Sequence, residues 1–363
     1  MFKAAKTVDF LFLTYYTDGS KQRKRLSSLI RLYFPLYLSR RSVSFSALRT
    51  ERPINFLCRR RAAEWMIVME KFDSLIIGEV AQDTNVDFDG TVVQAVGGAV
   101  YYSGCAAANM GHKIAVLPKA DLSQLDVTAA FHEKAPSISV FPLNSPHSFV
   151  TKNVYHTADR ERRTSTVDSL IAPYTTDEVP VDQIDAAIWH LAGLAGGDIP
   201  NEMIPFAAKH AMVAIDVQTM LRWVENGGMV YHDWKEKKEL LPYIRFLKTD
   251  AAEAEILTGL TDRAEAAKLL HSWGAREVLI THKTEVLAYD GREMYTCPIK
   301  ARNLSGRTGR GDTTFAGYIT ERQRADIKAA RLYCTALVSL KMETPGPFQG
   351  SRQDVLNYIK EFY

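Results

Sequence analysis

The sequence predicts an α/β protein of three layers, with a largely parallel central sheet between helices and a small β lid. Three observations carry this. From residue 71 onward, short apolar runs ended by glycine or a turn alternate with helical stretches. Such alternation feeds parallel strands through helical crossovers. Two β-branched segments, at about 83–96 and 138–157, depart from that rhythm and read as the strands of a projecting lid. The chain then closes on two consecutive helical stretches.

Taken in order, Phe72-Asp-Ser-Leu-Ile-Ile-Gly78 is a buried strand ended by glycine. Thr91 to Val96 is a second, closed by Gly97-Gly98. Tyr101 to Met110 is small and apolar, stops at Gly111, and reads as a closely packed helix. Strands follow at Lys113–Leu117, Ala186–Leu191, Ala211–Ile215, Ile244–Leu247 and Glu277–Thr281. Helical stretches near 200–210, 250–258 and 261–273 lie between them, and Asp312–Arg324 and Ile327–Lys341 close the fold.

Composition excludes several classes. At 363 residues with 46% hydrophobic and 24% charged, the chain can bury a large core. No apolar run reaches the length of a membrane span. Cys58, Cys105, Cys297 and Cys334 form no CxxC pair, which argues against a disulfide scaffold or structural zinc and suits a cytoplasmic location. Residues 1–65 carry a balance of +10 against +3 for the whole chain, so the remainder stands at −7. The basic character belongs to this leader and does not argue for nucleic-acid binding. Acid-poor and serine-containing, the leader reads either as a transit peptide for organelle import or as translated sequence ahead of a later start near Met66 or Met69. Either way the folded domain is expected over 66–363.

The richest stretch is Ser305-Gly-Arg-Thr-Gly-Arg-Gly-Asp-Thr-Thr-Phe-Ala-Gly317. Gly309 and Gly311 permit a tight turn whose amides converge, and a helix starting at Asp312 adds its positive end. Such a cradle suits a phosphoryl group in transfer, with Asp312 as base toward an incoming hydroxyl. From spacing alone, a glycine turn with Asp312 as helix cap reads equally well. There is no GxxxxGK[ST] loop and no strand-linked GxGxxG, and the nine histidines show no metal-binding spacing.

As a whole, the string resembles the C-terminal signature of the ribokinase-like carbohydrate kinases, the PfkB family. Thr308, Gly309, Gly311, Asp312, Thr313, Ala316 and Gly317 match it. Gly97-Gly98-Ala-Val-Tyr-Tyr-Ser-Gly-Cys-Ala-Ala-Ala-Asn-Met-Gly111 resembles the N-terminal signature, and Gly78-Glu-Val-Ala-Gln-Asp83 the substrate-binding segment before it. The resemblance spans about residues 71–358 and implies a ribokinase-like fold and an ATP- and Mg²⁺-dependent kinase. It leaves room for a monovalent cation and for a homodimer built through the lid.

The resemblance also implies roles. Asp312 becomes the catalytic base; the amides of Gly309, Arg310 and Gly311 become the anion hole. Asp83, Gly97, Gly98 and Tyr102 fall on the substrate side, Thr281 at the nucleotide pocket. Asp250 and Glu253 become organisers of Mg²⁺, largely through water. Departures accompany the match. Arg310 replaces a frequent alanine, Gly306 the opening acid, and Asp250 an asparagine; His282-Lys-Thr-Glu285 replaces a glycine-rich turn. Tyr102 stands where the family has a sugar-contacting asparagine, and its ring offers a face for stacking. Asp216 and Arg222 read either as cleft residues or as a local ion pair. Arg160 to Arg163 reads as a solvated loop or an anion contact. The expected partner is a sugar, polyol or nucleoside, with neither nucleic acid nor membrane. A non-catalytic ligand-binding descendant is the other class, and intact Asp312, Gly309 and Gly311 favour the enzyme.

Overall fold

The computed structural model describes residues 69–157 and 163–363. The basic leader and most of the Arg160–Arg163 cluster lie outside the described residues. Sixteen strands run in chain order among the described residues. These are β1 (Glu70–Glu79), β2 (Ala81–Val86), β3 (Val92–Gly97), β4 (Ile114–Ala120), β5 (Ser139–Val140), β6 (Leu143–Asn144), β7 (Phe149–Tyr155) and β8 (Arg163–Ser169). Then come β9 (Ile184–Leu191), β10 (Met212–Asp216), β11 (Arg222–Glu225), β12 (Gly228–Tyr231), β13 (Ile244–Asp250), β14 (Glu277–Thr281), β15 (Glu285–Tyr289) and β16 (Met294–Pro298). The helices are α1 (Ala99–Asn109), α2 (Val127–Lys134), α3 (Met203–Ala207), α4 (Gln218–Leu221), α5 (Lys237–Leu240), α6 (Ala251–Thr258), α7 (Arg263–Ser272), α8 (Arg310–Glu321), α9 (Ile327–Lys341) and α10 (Arg352–Phe362).

The main sheet has the order β16-β15-β14-β13-β10-β9-β1-β4-β5, with β6 also on β4. Its strands are parallel except for the antiparallel edge pairs β14–β15 and β15–β16. Side chains alternate across a strand, and β1 shows the result. Leu75 and Ile77 enter the core on one face with α3, α6 and α7, while Ile76 enters the opposite core with α1, α2, α9 and α10. Ile188, Ala214 and Phe246 continue that second face against α8. Asp126, Asp250, Asp262, Asp326 and Ser351 cap α2, α6, α7, α9 and α10 through side-chain oxygens.

A second sheet has the order β11-β12-β8-β7-β2-β3. It begins as β2, one residue after β1 leaves the main sheet. The segment 83–96 falls within its β2–β3 hairpin. Of 138–157, only Phe149–Tyr155 enters it, because Ser139–Val140 and Leu143–Asn144 pair with β4 at the main-sheet edge. Strands β8, β11 and β12 join it too. The β11–β12 turn has positive φ at Asn226 and Gly227, the requirement of a type I′ hairpin.

One glycine fixes how closely β1 packs at its end. A Cβ on Gly78 would lie 2.2 Å from the backbone oxygen of Ala192, which no side-chain rotation can relieve. Gly78→Ala is therefore expected to destabilise the protein by about 1–3 kcal/mol, read as a lower urea midpoint with unchanged slope.

Candidate functional site

The carboxyl ends of β1, β9, β10 and β13 converge below the first turn of α8, the place where open α/β sheets bind ligands. A cavity of about 930 Å³ opens there. One wall is the loop from Leu304 to Asp312 with Gln218. The facing wall is the second sheet, and its contribution follows the period of two. Ala81, Asp83 and Asn85 come from β2; Thr151, Asn153 and Tyr155 from β7; Val93 and Ala95 from β3.

The polar groups of that sheet hold one another. Thr151 Oγ1 donates to Asp83 Oδ1 at 2.5 Å. Asn153 Nδ2 donates to Asn85 Oδ1 at 3.2 Å, and Ser165 Oγ to Asn153 Oδ1 at 2.6 Å. A Cβ on Gly97 would meet Asp83 Oδ2 at 2.3 Å, so Gly97 makes room for the carboxylate. Gly98 starts α1 at φ 104°, with Glu79 O 2.4 Å from where its Cβ would be.

Across the cavity, Gly309 is the N-cap of α8 with φ 74°, left-handed backbone that favours glycine. The ring of Tyr102 lies on it, 2.1 Å from where a Cβ would stand. Tyr102 is 6% exposed, its ring in contact with Gly309. Burial first, then the charges of Asp83 and Asp312, push its hydroxyl up, so it remains a neutral phenol between two carboxylates. Arg310 is half-buried and lines the cavity. Asp312 sits in the first turn of α8, three residues past the Gly309 N-cap. Ser103 Oγ donates to its backbone oxygen at 3.2 Å, tying α1 to α8. Burial raises the Asp312 carboxyl above its ordinary value, against the opposing charges of Lys248, Arg222 and Lys341. That makes it the better proton acceptor.

Beneath the loop lies a buried charge cluster whose lysine, Lys248, sequence reasoning missed. Lys248 and Asp216 are register partners on β13 and β10, with Nζ 2.8 Å from Oδ2. Lys248 Nζ is also 3.9 Å from Glu253, and 3.2 Å from where Gly311 would carry a Cβ. Arg222 approaches Glu253 at 4.0 Å. Burial works against the Lys248 ammonium, but Asp216 and Glu253 outweigh it and raise its proton affinity. Glu253 is pushed up to about 7, by burial first. An ammonium thus stands behind the glycine loop although the loop itself contains no lysine. Asp216 pairs with Lys248 and Arg222 with Glu253, not with each other, and Arg222 also lines the cavity.

Asp250 and Glu253 form a capping box, each carboxylate accepting the other's backbone N–H at 2.8 Å. With these oxygens engaged and two cations adjacent, Asp250 and Glu253 do not offer Mg²⁺ direct ligation, and any hold on it would run through water. Among the described residues no group of three or more His, Cys, Asp or Glu side chains could hold a metal. Thr281 ends β14 beside Asp250. Thr281, Asp250 and Glu253 all stand outside the cavity wall, whereas Asp312, Gly309, Arg310, Gly311, Asp83, Gly98 and Tyr102 belong to it. The hydrogen-bonding side chains Asn85, Thr151, Asn153 and Ser165 were not foreseen. Their signal is the alternation in Thr151-Lys-Asn-Val-Tyr155.

Comparison with known proteins follows the geometry. The profile of the pfkB family of carbohydrate kinases matches residues 148–348. A pyrophosphate-dependent kinase in the ribokinase family, solved with sulfate, superposes with TM-score 0.71 at 31% identity, covering 78% of this chain and 99% of that one. A structure of such a kinase with a pyrophosphate analog and myo-inositol gives 0.71 at 30%, over 78% and 99%. Ribokinase of Arabidopsis thaliana, with ribose and ATP, shares the fold at TM-score 0.63 and 17% identity, over 80% and 99%. A cytidine kinase of Thermococcus kodakarensis is 24% identical over 266 residues, 68% of this chain and 87% of its own.

The cluster under the loop has a stability consequence. Lys248→Met leaves Asp216 and Glu253 buried beside each other without their cation, an expected loss of about 3–5 kcal/mol. Adding Asp216→Asn should return most of it, measured by urea unfolding of the single and double variants.

Proposed function

The chain belongs to the pfkB family of carbohydrate kinases, and from that premise we propose that it phosphorylates a hydroxyl of a sugar or polyol. The observation that carries the reading is the arrangement of the two cavity walls. A face bearing Asp83, Asn85, Thr151, Asn153 and Ser165 stands opposite Asp312 and the glycine turn. Carboxylate, amide and hydroxyl groups both donate to and accept from the hydroxyls of a polyhydroxylated ring. Asp83, its other oxygen steadied by Thr151, accepts from substrate hydroxyls. Asp312 takes the proton of the attacking hydroxyl as its oxygen bonds to phosphorus and the donor's bridging oxygen departs. The amides of Gly309, Arg310 and Gly311 and the N-terminus of α8 hold the transferred phosphoryl group, with Lys248 charging the site from behind. Mg²⁺ would supply charge neutralisation for the donor phosphates, and Asp250 and Glu253 would hold it only through water. Closure of the second sheet over the ring keeps water from the transfer.

Two donors are in view. Pyrophosphate is favoured by the cavity wall, which ends short of Thr281, and by likeness to pyrophosphate-dependent kinases at 30–31% identity. ATP is the second reading, supported by family membership and by the place of Thr281 at the end of β14. Among acceptors, the similarity to a kinase bound to myo-inositol favours a cyclitol. A nucleoside is supported by the cytidine kinase relative. The Tyr102 ring, packed on Gly309, does not favour base stacking.

Mass-spectrometric detection of phosphorylated product, over sugars, cyclitols and nucleosides with either donor and Mg²⁺, tests this. The expected result is a cyclitol or sugar phosphate formed at least about tenfold faster from pyrophosphate than from ATP. Faster transfer from ATP assigns the donor site to a nucleotide; turnover of cytidine alone moves the acceptor to nucleosides.

Asp312→Asn is expected to keep the fold and lower kcat by about 10²–10⁴. In the parent, kcat/KM should fall on the acid side as Asp312 gains its proton. Because burial raises that carboxyl, the fall should come above the ordinary aspartate value of 3.8. A pH–rate profile of the parent and a single-turnover measurement on the variant check both.

A further inference from the structure

Lys341 is the last residue of α9, and only 2% of it is exposed. A buried ammonium is ordinarily matched with a carboxylate. This one is held differently. Its Nζ donates to the backbone oxygen of Gly306 at 2.5 Å and to that of Thr308, and lies 5.3 Å from the centre of the Tyr102 ring. Converging backbone carbonyls are how proteins replace the hydration shell of a monovalent cation. The π-face of Tyr102 adds a third attractive surface.

The geometry has a consequence for the glycine loop. In a planar trans peptide the C=O and N–H point to opposite sides. Drawing the oxygens of Gly306 and Thr308 to one ammonium therefore turns the N–H groups of Arg307 and Gly309 away from it. Both residues line the cavity. The same contact is locked from the backbone, since Gly306 N–H donates to Met342 O at 2.7 Å. A Cβ at position 306 would lie 1.9 Å from Thr344 O, so only glycine lets the segment after α9 close on the loop.

We propose that Lys341 is a tethered monovalent cation, filling the carbonyl cradle behind the glycine loop and holding it in its anion-binding form without K⁺ or Na⁺ from solution. This rests on reading the loop as the site of the transferred phosphoryl group. A free cation does not fit the cradle, because Nζ already takes both oxygens. Burial lowers the proton affinity of Lys341 to about 8, with Asp312 opposing the shift, so the charge is present at neutral pH. Lys341 is a positioning residue, acting through the loop and not on the substrate.

The test uses the full chain, Lys341→Ala and Lys341→Met, in chloride salts of choline, Na⁺, K⁺ and NH₄⁺ at one ionic strength. Both transfer rate and melting temperature are followed. The parent should vary by less than about twofold in rate among the salts. Lys341→Ala should lose at least about 100-fold in choline and regain at least about tenfold with K⁺ or NH₄⁺, whereas Lys341→Met, its cradle filled by an uncharged chain, should regain nothing. The melting temperature of Lys341→Ala should rise with K⁺ or NH₄⁺ and that of the parent should not, by mass action on the folded state.

Three outcomes overturn the proposal: a parent rate that climbs several-fold with K⁺, a Lys341→Ala variant as fast as the parent in choline, or a cooperatively folded Lys341→Ala indifferent to every cation. If Lys341→Ala does not fold, the cation response of the parent decides. If the parent transfers phosphate from no donor, the kinase reading fails, and the melting-temperature comparison still decides the cradle.

Discussion

The bare Cα of Gly309 under the ring of Tyr102 is the contact on which the site depends. The segment 304–309 has no regular structure of its own, so neighbouring elements must hold it. Tyr102 presses on it from α1, Lys341 draws its carbonyls from α9, and Lys248 stands behind Gly311 from β13. A side chain at 309 would separate α1 from α8, and with them the Ser103 bond to the Asp312 backbone. The two glycine-bearing motifs, some 200 residues apart in sequence, are thus halves of one packing contact.

Electrostatics follow from the same crowding. On the proposed reading, the glycine turn needs positive potential to bind an anion, while Asp312 beside it must stay a carboxylate to act as base. Partial charges at the start of α8 serve both needs at short range. Behind the arginines that line the cavity, two further full charges are kept one layer back. Lys248 is neutralised by Asp216 and tempered by Glu253; Lys341 is held by dipoles. The result is a site whose charge is set by buried groups, shielded from the screening that weakens exposed pairs.

Much of this architecture was legible in the chain. Phe72–Gly78 reads as a strand because its run is apolar and ends in glycine, and Ile327–Lys341 reads as a helix by its periodicity. The hairpin β11–β12 was missed although Asn226-Gly227 carries its turn signal, because its strands are four residues long with weak alternation. The edge hairpin β15–β16 and helix α10 were missed as well; neither borders a motif that draws attention. In the site, Asp312, Gly309 and Asp83 were readable from local motifs. Lys248 was not. It meets Asp216 across 32 positions of chain, and only the strand order, with β13 beside β10, makes them neighbours. Lys341 was invisible for a similar reason: in sequence it is merely the last residue of an amphipathic helix. Asp250 and Glu253 show the opposite case, where one spacing reads both as a helix cap and as a magnesium organiser, and the capping bonds are what the structure displays.

The second sheet is assembled from three separated stretches, 81–97, 149–169 and 222–231. Between them the chain visits the main sheet, so every pairing except the local hairpins must wait for long loops to close. The outward residues of β3, Val92 among them, stay exposed. Long loop closures and an exposed outer face are features that lower local stability relative to the parallel sheet. On the proposed reading, a chain in which this sheet loosened first would keep its anion-binding turn and lose its choice of alcohol.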